Sequence, residues 1–156
     1  NFPSPVCIGI DDSAMLRKAQ SALFRVFLKA DPERSISIGA SVDEADAFVD
    51  IAMGTRTISL EPANLPPADI VVLDQHIDYD DHIHCKKGSQ LAAELRSRGF
   101  KGVICILTGS SQEEMVKLSR LPSVDFAFSK SMSPMDIARA LWTAHKTNKA
   151  RSPSSR

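Results

Sequence analysis

Short apolar segments alternate with longer amphipathic segments along most of this sequence. Three of the short segments, 6–10, 70–73 and 103–107, are apolar runs rich in valine and isoleucine. Such runs are typical of strands whose two faces are both covered by helices. A weaker alternating segment at 36–40 has the pattern of an edge strand, and 124–128 is a fifth candidate. The alternation therefore predicts five strands, each followed by a helix.

The segments that follow the strands have helical signals. Apolar side chains recur on one helical face over 13–30, and the pattern stops at an Asp-Pro pair. Ser41 and Ser111 are each followed three residues later by glutamate, which is the capping-box pattern at a helix start. A further helix is predicted over 89–98, and Ser133 followed by proline opens the last one.

Strands that alternate with helices predict an α/β fold, a doubly wound five-stranded parallel sheet with helices on both faces. Three segments do not fit the repeat. The connection 54–67 is long and contains a candidate extra strand at 57–60, 78–87 is a polar loop, and 152–156 has the composition of a frayed tail. In such sheets ligands bind at the carboxyl ends of the strands, near the point where strand order reverses.

Composition and charge narrow the class of protein. A chain of 156 residues with 43% hydrophobic content suits one globular domain with a buried core. Basic and acidic residues both number 19, and this zero net charge disfavours nucleic-acid binding. No apolar run approaches the ~20 residues of a membrane span, so we expect no membrane insertion. The cysteines Cys7, Cys85 and Cys105 are odd in number and have no paired spacing, which favours a reducing, cytoplasmic setting.

Polar residues stand at the carboxyl ends of four predicted strands. Asp11 and Asp12 follow the first strand, Asp74 the third, Thr108 the fourth and Lys130 the fifth. A lone aspartate at a strand end is more often a turn or cap residue, but in a parallel sheet all five residues would share one rim. Three crowded carboxylates repel one another unless a cation neutralises them, and oxygen ligands suit Mg²⁺ or Mn²⁺. A hydroxyl and an ammonium opposite the cation complete a site for a phosphoryl group, with Asp74 as the nucleophile.

Four separated stretches carry these residues in the patterns of a known family. They read Ile-Gly-Ile-Asp-Asp-Ser at 8–13, Ile-Val-Val-Leu-Asp at 70–74, Ile-Leu-Thr-Gly at 106–109 and Phe-Ser-Lys at 128–130. In order and spacing they resemble the receiver domains, of the CheY type, of two-component response regulators and hybrid histidine kinases. The resemblance extends from Val6 to about Lys146 and implies the flavodoxin-like strand order 2-1-3-4-5.

The resemblance implies a role for each of these residues. Asp74 would accept a phosphoryl group from a phosphohistidine on a histidine kinase or a histidine phosphotransfer protein, and the added charge would shift a conformational equilibrium. Thr108 and Lys130 would contact the phosphoryl group. The domain would catalyse its own phosphorylation and dephosphorylation without turning over external substrates. The ligands of its Mg²⁺ (or Mn²⁺) would be Asp11, Asp12, Asp74 and the backbone carbonyl of His76.

The predicted domain organisation follows the extent of the resemblance. Residues 1–5 form an N-terminal extension, 6–147 the receiver domain and 148–156 a flexible tail or linker. No DNA-binding module fits behind the receiver domain, so we expect any output domain in a longer parent chain or in a partner. The exposed side of the first helix, with Arg17 and Lys18, is the expected partner surface.

The sequence departs from the family pattern at several positions. Ser131 stands where the family commonly has proline after the lysine, and Ala127 stands where it has an aromatic residue. His76 and Ser110 occupy the two positions that border the attacking water in the family. A histidine there is able to orient that water, so we expect His76 to affect the lifetime of the phosphoryl group.

The polar loop 78–87 contains metal-capable side chains at His82, His84 and Cys85. Their spacing matches no strong zinc motif. We therefore favour a solvated insertion near Asp74 that gates access to it or contacts a partner, over a zinc site.

Three other functions are consistent with parts of the pattern. A Mg²⁺-dependent phosphatase would use Asp74 as its nucleophile, but such enzymes usually have a second carboxylate two positions on, where this chain has His76. A degenerate receiver would act only as a protein-binding module, which the complete set of site residues disfavours. A flavodoxin-like cofactor site is disfavoured because Asp11 and Asp12 would repel an anionic cofactor.

Overall fold

Five parallel strands form the main sheet of the computed structural model, which describes residues 3–80 and 83–151. The strands are β1 (Cys7–Ile10), β2 (Ile36–Ile38), β3 (Ile70–Asp74), β4 (His76–Asp78), β5 (Cys85–Lys87), β6 (Val103–Thr108) and β7 (Phe126–Ser129). In spatial order the main sheet is β2-β1-β3-β6-β7, and β4 and β5 form a separate antiparallel ribbon. The main sheet thus has the predicted order 2-1-3-4-5, counted over its own strands.

Helices follow the strands of the main sheet, as predicted. The side chains of Ser13, Ser41 and Ser111 each accept the N–H of the residue three positions on, which closes the first turn of three helices. None of the helices in the described part of the chain is long and apolar enough to cross a bilayer. The helices are α1 (Ala14–Ala22), α2 (Val42–Met53), α3 (Gly88–Ser97), α4 (Gln112–Ser119) and α5 (Pro134–Arg151).

Alternate residues of the central strands face opposite sides of the sheet and divide the core in two. On β3, Val71 and Leu73 join the core beneath α2, α3 and α4, whereas Ile70 and Val72 join the core beneath α5 and the segment 23–30 that follows α1. All four of these side chains have no measurable exposure, because helices cover both faces. The doubly wound architecture predicted from the apolar runs is confirmed.

The register of the strands aligns their carboxyl ends. Ile10, the last residue of β1, lies beside Leu73, so Asp11 follows at the level of Asp74. Asp74 in turn lies beside Leu107, and Thr108 lies beside Ser129. The residues that follow the strands are therefore brought to one rim of the sheet, as expected for parallel strands.

Four local predictions differ from the structure. The helix predicted over 13–30 is α-helical only to Ala22 and continues as a π-helical segment, Leu23–Phe27. The candidate strand at 57–60 does not form; an isolated antiparallel pair joins Arg56 and Pro62 instead. The loop 78–87 begins and ends in strand residues, because β4 and β5 pair. Helix α5 runs to Arg151, into the segment 148–156 expected to be a flexible tail.

The domain boundaries themselves remain predictions. Residues 1–2 of the expected N-terminal extension, residues 152–156 of the expected tail, and Asp81 and His82 of the polar loop lie outside the described residues.

Candidate phosphoryl and metal site

Three aspartates meet at the carboxyl-end rim of the sheet. Asp11 and Asp12 follow β1, Asp74 ends β3, and one carboxylate oxygen of each lies within 4.8 Å of the others. Asp11 and Asp74 are buried, at 1% and 3% exposure, whereas Asp12 is partly exposed. Within 3–80 and 83–151, this is the one group of three or more metal-capable side chains. The structure thus brings together the three carboxylates that the sequence places at strand ends.

Lys130 reaches into this acidic cluster from the end of β7. Its Nζ lies 2.9 Å from Oδ1 of Asp74 and 3.3 Å from Oδ2 of Asp11. The backbone N–H of Lys130 donates to the carbonyl of Thr108 at 2.9 Å, which continues the β6–β7 pairing to the point where the side chain departs. No peptide bond in the described part of the chain is cis, so Ser131 follows Lys130 through a trans bond.

Burial dominates the electrostatics of the cluster. It raises the pKa of Asp74 to about 6, because the charged form is desolvated and because Asp11 and Asp12 add repulsion that Lys130 offsets only in part. Burial likewise raises the pKa of Asp11. For Lys130 burial acts in the other direction, but the hydrogen bond and charge of Asp74 outweigh it and raise the pKa of the ammonium. Three carboxylates and one ammonium leave a deficit of positive charge.

The donor set fits a hard divalent cation. Oδ2 of Asp74 is buried and accepts no hydrogen bond from the residues that the structure describes. A buried carboxylate oxygen without a partner is destabilising unless something else neutralises it. The cluster offers carboxylate oxygens only, which is the chemistry that Mg²⁺ prefers.

The backbone carbonyl of His76 lies on the edge of β4 that faces the cluster. The N–H of Gly88 donates to the carbonyl of Gln75 at 3.0 Å, so these two residues form a hydrogen-bonded pair of the ribbon. Because bonded and non-bonded pairs alternate in antiparallel strands, the backbone groups of His76 and Asp78 point away from β5. The N–H of Asp78 accordingly donates to Oδ2 of Asp12 at 3.0 Å.

Thr108 and His76 are joined by hydrogen bonds through Ser110. The hydroxyl of Thr108 donates to Oγ of Ser110 at 2.8 Å, so its proton is not directed to any of the three carboxylates. The backbone N–H of Ser110 donates back to Oγ1 of Thr108 at 3.1 Å. Nε2 of His76, an exposed side chain, lies 3.4 Å from Oγ of Ser110. The two residues expected to border an attacking water are therefore in contact.

The aromatic residues near Lys130 are packing residues. The rings of Phe126 and Phe128 stack with centroids 5.2 Å apart and pack against the core beneath α5 and the segment 23–30. Ala127 faces the opposite core. Neither phenylalanine takes over the family's aromatic position at Ala127.

Two contacts of the site were not predicted from the sequence. Nη1 of Arg17 donates to the backbone carbonyl of Asp11 at 3.0 Å, from one turn into α1. The hydroxyl of Tyr79 donates to the carbonyl of Gly39 at 2.8 Å, which ties the ribbon to the loop after β2. Their only sequence signal is proximity to the aspartates. Of the suggested zinc ligands, His84 and Cys85 belong to no cluster of three metal-capable groups in the described part of the chain, and His82 lies outside it.

Comparison with known proteins shows the class of fold. No family model matches the sequence, and no curated protein is significantly similar to it. Solved structures do match, and several of them are described as response regulator or signal receiver domains. A response regulator receiver domain protein from Methanospirillum hungatei JF-1 superposes with a TM-score of 0.66 at 12% identity, over 96% of this chain and 100% of that chain.

Two further structures are similar to this chain. The signal receiver domain of a modulated diguanylate cyclase from Desulfovibrio desulfuricans G20 has a TM-score of 0.66 at 15% identity, over 96% of this chain and 100% of that one. A DNA-binding response regulator of the LuxR family from Staphylococcus aureus has a TM-score of 0.64 at 16% identity, over 90% and 98%. The chain therefore has the fold of CheY-like response regulator receiver domains over nearly its whole length.

Proposed function

We propose that this chain is a phosphoacceptor signalling switch. Asp74 takes a phosphoryl group from a phosphohistidine donor, while Asp11, Asp12, Asp74 and the backbone carbonyl of His76 hold Mg²⁺. The observation that carries the proposal is the cluster itself. One oxygen of Asp74 lies 2.9 Å from Nζ of Lys130, and the other is buried and accepts no hydrogen bond from residues 3–80 and 83–151. An oxygen without a partner is available to a cation or to phosphorus.

The phosphorylation step is a nucleophilic substitution at phosphorus. A carboxylate oxygen of Asp74 forms the new O–P bond, the N–P bond of the phosphohistidine breaks, and the imidazole nitrogen leaves with the electron pair and is protonated by solvent. When bound, Mg²⁺ supplies positive charge that offsets the carboxylates and the oxygens of the transferred group. Lys130 supplies further positive charge through its contacts with Oδ1 of Asp74 and Oδ2 of Asp11.

The switch follows from the charge that phosphorylation adds. A phosphoryl group brings about 1.5 to 2 negative charges and strong acceptor oxygens. Thr108 is able to donate to such an oxygen only by giving up its bond to Ser110. Because Ser110 lies in the connection between β6 and α4, that exchange moves a surface segment.

Mass measurement after incubation with acetyl phosphate tests the proposal. We expect one added phosphoryl group on the wild type with Mg²⁺, and none with EDTA or on Asp74→Asn. Asp78→Asn is the matched control, because it neutralises an exposed carboxylate near the site while it keeps the backbone N–H that Asp12 accepts. Modification of Asp74→Asn, or its absence from the wild type, would contradict the proposal.

The same preparation separates the switch from a phosphatase. With p-nitrophenyl phosphate in large excess, the switch releases no more than about one equivalent of nitrophenol per chain on the timescale of a single phosphorylation. Sustained Mg²⁺-dependent turnover that disappears in Asp74→Asn would assign the phosphatase instead. If Asp74 is not phosphorylated under any of these conditions, the alternative of a degenerate receiver that acts only by binding proteins is favoured.

The partners and setting belong to the same proposal. We expect the donor to be a histidine kinase or a histidine phosphotransfer protein, acting in the cytoplasm. The buried thiols of Cys7 and Cys105 are compatible with that compartment. Among proteins of similar fold, one is a DNA-binding response regulator and another is the receiver of a diguanylate cyclase, which supports an output domain in a longer parent chain or in a partner.

A further inference from the structure

The β4–β5 ribbon begins at His76, two residues after Asp74, and is hydrogen-bonded to the rim at two successive residues. The backbone N–H of Asp78 donates to Oδ2 of Asp12 at 3.0 Å. The hydroxyl of Tyr79 donates to the carbonyl of Gly39 at 2.8 Å, across 40 residues of sequence. His76 lies in β4 between the end of β3 and these two bonds, and its backbone carbonyl is on the edge of the ribbon that faces the cluster. The position of the ribbon therefore sets the positions of two proposed metal ligands, the carboxylate of Asp12 and the carbonyl of His76.

The backbone of Gly39, which accepts the hydrogen bond of Tyr79, is constrained by its surroundings. Gly39 has a positive φ of 123°, and a Cβ there would lie 2.4 Å from the carbonyl oxygen of Asp11. Its N–H is held by the carboxylate of Glu44 at 2.9 Å. The ring of Tyr79 is partly buried and packs against the core beneath α2, α3 and α4. The hydroxyl thus ties a surface ribbon to backbone that is locked against the acidic cluster.

We propose that Tyr79 is a positioning residue for the divalent cation: its bond to Gly39 holds the ribbon so that Asp12 and the His76 carbonyl keep the spacing that favours Mg²⁺ over Ca²⁺. The inference rests on the proposed function, because it needs the cation site. Mg²⁺ demands nearly ideal octahedral geometry at about 2.0–2.1 Å, whereas Ca²⁺ accepts about 2.3–2.6 Å and irregular shells. A looser ribbon therefore weakens Mg²⁺ binding more than Ca²⁺ binding.

Equilibrium titration with MgCl₂ alone and with CaCl₂ alone, by calorimetry, tests this role without any phosphodonor. Tyr79→Phe keeps the packed ring and removes only the hydroxyl, so it is expected to fold. One hydrogen bond of ordinary strength corresponds to a change of about three- to tenfold in affinity. We expect a loss of that size for Mg²⁺, a smaller loss for Ca²⁺, and a lower Mg²⁺/Ca²⁺ preference.

Ser97→Ala is the matched control. The hydroxyl of Ser97 donates to the carbonyl of Glu94 at 2.8 Å, the same type and length of bond, at the end of α3 remote from the rim. We expect this variant to bind both ions like the wild type. The free energy of unfolding in EDTA is measured for Tyr79→Phe and for Ser97→Ala. The comparison shows whether ion affinity falls in Tyr79→Phe alone when both variants lose stability to a similar extent.

The outcomes distinguish the two proposals. If the wild type binds neither ion at millimolar concentration, the proposed function fails at its cation site. If the wild type binds Mg²⁺ and Tyr79→Phe binds it equally well, Tyr79 has no positioning role. An equal loss for Mg²⁺ and Ca²⁺ would also overturn the inference, because it would mean general loosening and not a change in ligand spacing.

Discussion

The aspartates at the two ends of the main sheet differ in how their charges are compensated. At the amino ends, Asp69 precedes β3 and Asp125 precedes β7, and each accepts a backbone N–H and pairs with its own cation. For Asp125 these partners are the N–H of Ile104 at 2.8 Å and Nη2 of Arg96 at 2.9 Å. At the carboxyl ends, one carboxylate oxygen from each of three aspartates lies within 4.8 Å of the others. Asp11 and Asp12 each accept a backbone N–H as well, but Asp11 and Asp74 share the one ammonium of Lys130.

The difference separates aspartates whose charges are compensated by the protein from aspartates whose charges are compensated only in part. An aspartate with a backbone donor and a cation has its charge compensated, so ionisation is compatible with folding. At the other rim, burial and mutual repulsion raise the pKa of Asp74 to about 6, so its ionisation opposes folding until a cation arrives. Perturbed groups of this kind cluster at functional sites.

The largest effect is expected at the amino end of the sheet. Asp125→Ala removes the acceptor of the Ile104 N–H, which is fully buried, and one partner of Arg96. We expect the free energy of unfolding to fall by about 3 kcal/mol in urea denaturation, because a buried donor loses a charged acceptor. Phosphorylation by acetyl phosphate should persist in the folded fraction. If Asp125→Ala is as stable as the wild type, the aspartates at the amino end do not stabilise the fold in the way described.

A smaller effect of opposite sign is expected at the carboxyl end. In EDTA at pH 7, Asp74→Asn should raise the free energy of unfolding by about 2 kcal/mol, because it removes an ionised group whose pKa is raised in the folded state. The folded pKa lies above the unfolded value, so the wild type loses stability as pH rises from about 4 through about 6.

The difference in the free energy of unfolding between Asp74→Asn and the wild type should depend on pH, and this dependence is the sharper test. Below pH 4 Asp74 is protonated in both states, so the gain from Asp74→Asn should vanish there. Asp69→Asn is the matched control at the amino end: it weakens the bonds to Val6 and Lys149, so it should destabilise at pH 7. If both substitutions destabilise the metal-free protein at pH 7, the two ends do not differ in the way described.

The smallest effect is expected at the mouth of the site. His76→Ala removes an exposed side chain whose contact with Ser110 is 3.4 Å, so stability should change by less than about 0.5 kcal/mol. The lifetime of the phosphoryl group on Asp74 should nevertheless change by about threefold, measured as its decay after acetyl phosphate is removed. An unchanged lifetime would mean that His76 does not reach the attacking water.

Much of the fold was predictable because it depends on local patterns. Apolar runs at 70–73 and 103–107 are buried on both faces, and serine caps at Ser41 and Ser111 start helices where predicted. The convergence of the aspartates followed from the same pattern, since parallel strands joined by right-handed crossovers must end at one rim. Even here local rules had limits, because Glu44 accepts the N–H groups of Gly39 and Ala40 and does not close the expected capping box on Ser41.

The ribbon shows where sequence reasoning ends. The segment 78–87 is polar and has no apolar alternation, which predicts a loop. In the structure its ends belong to β4 and β5, which pair. The pairing depends on contacts with distant parts of the chain, such as the bond from Tyr79 to Gly39. Intrinsic strand propensity is weak and is overridden by such contacts.

The amino-acid order alone accounts for the five strands of the main sheet, their sequence along the chain and the chemical groups at their ends, because the burial of these strands follows short-range periodicity. It does not account for which oxygen of Asp74 contacts Lys130 and which accepts no hydrogen bond from the part of the chain that the structure describes, or for the bond from the ribbon to Asp12. Those features arise from side-chain rotamers and hydrogen bonds between residues that are tens of positions apart, and they exist only once the helices and strands have packed.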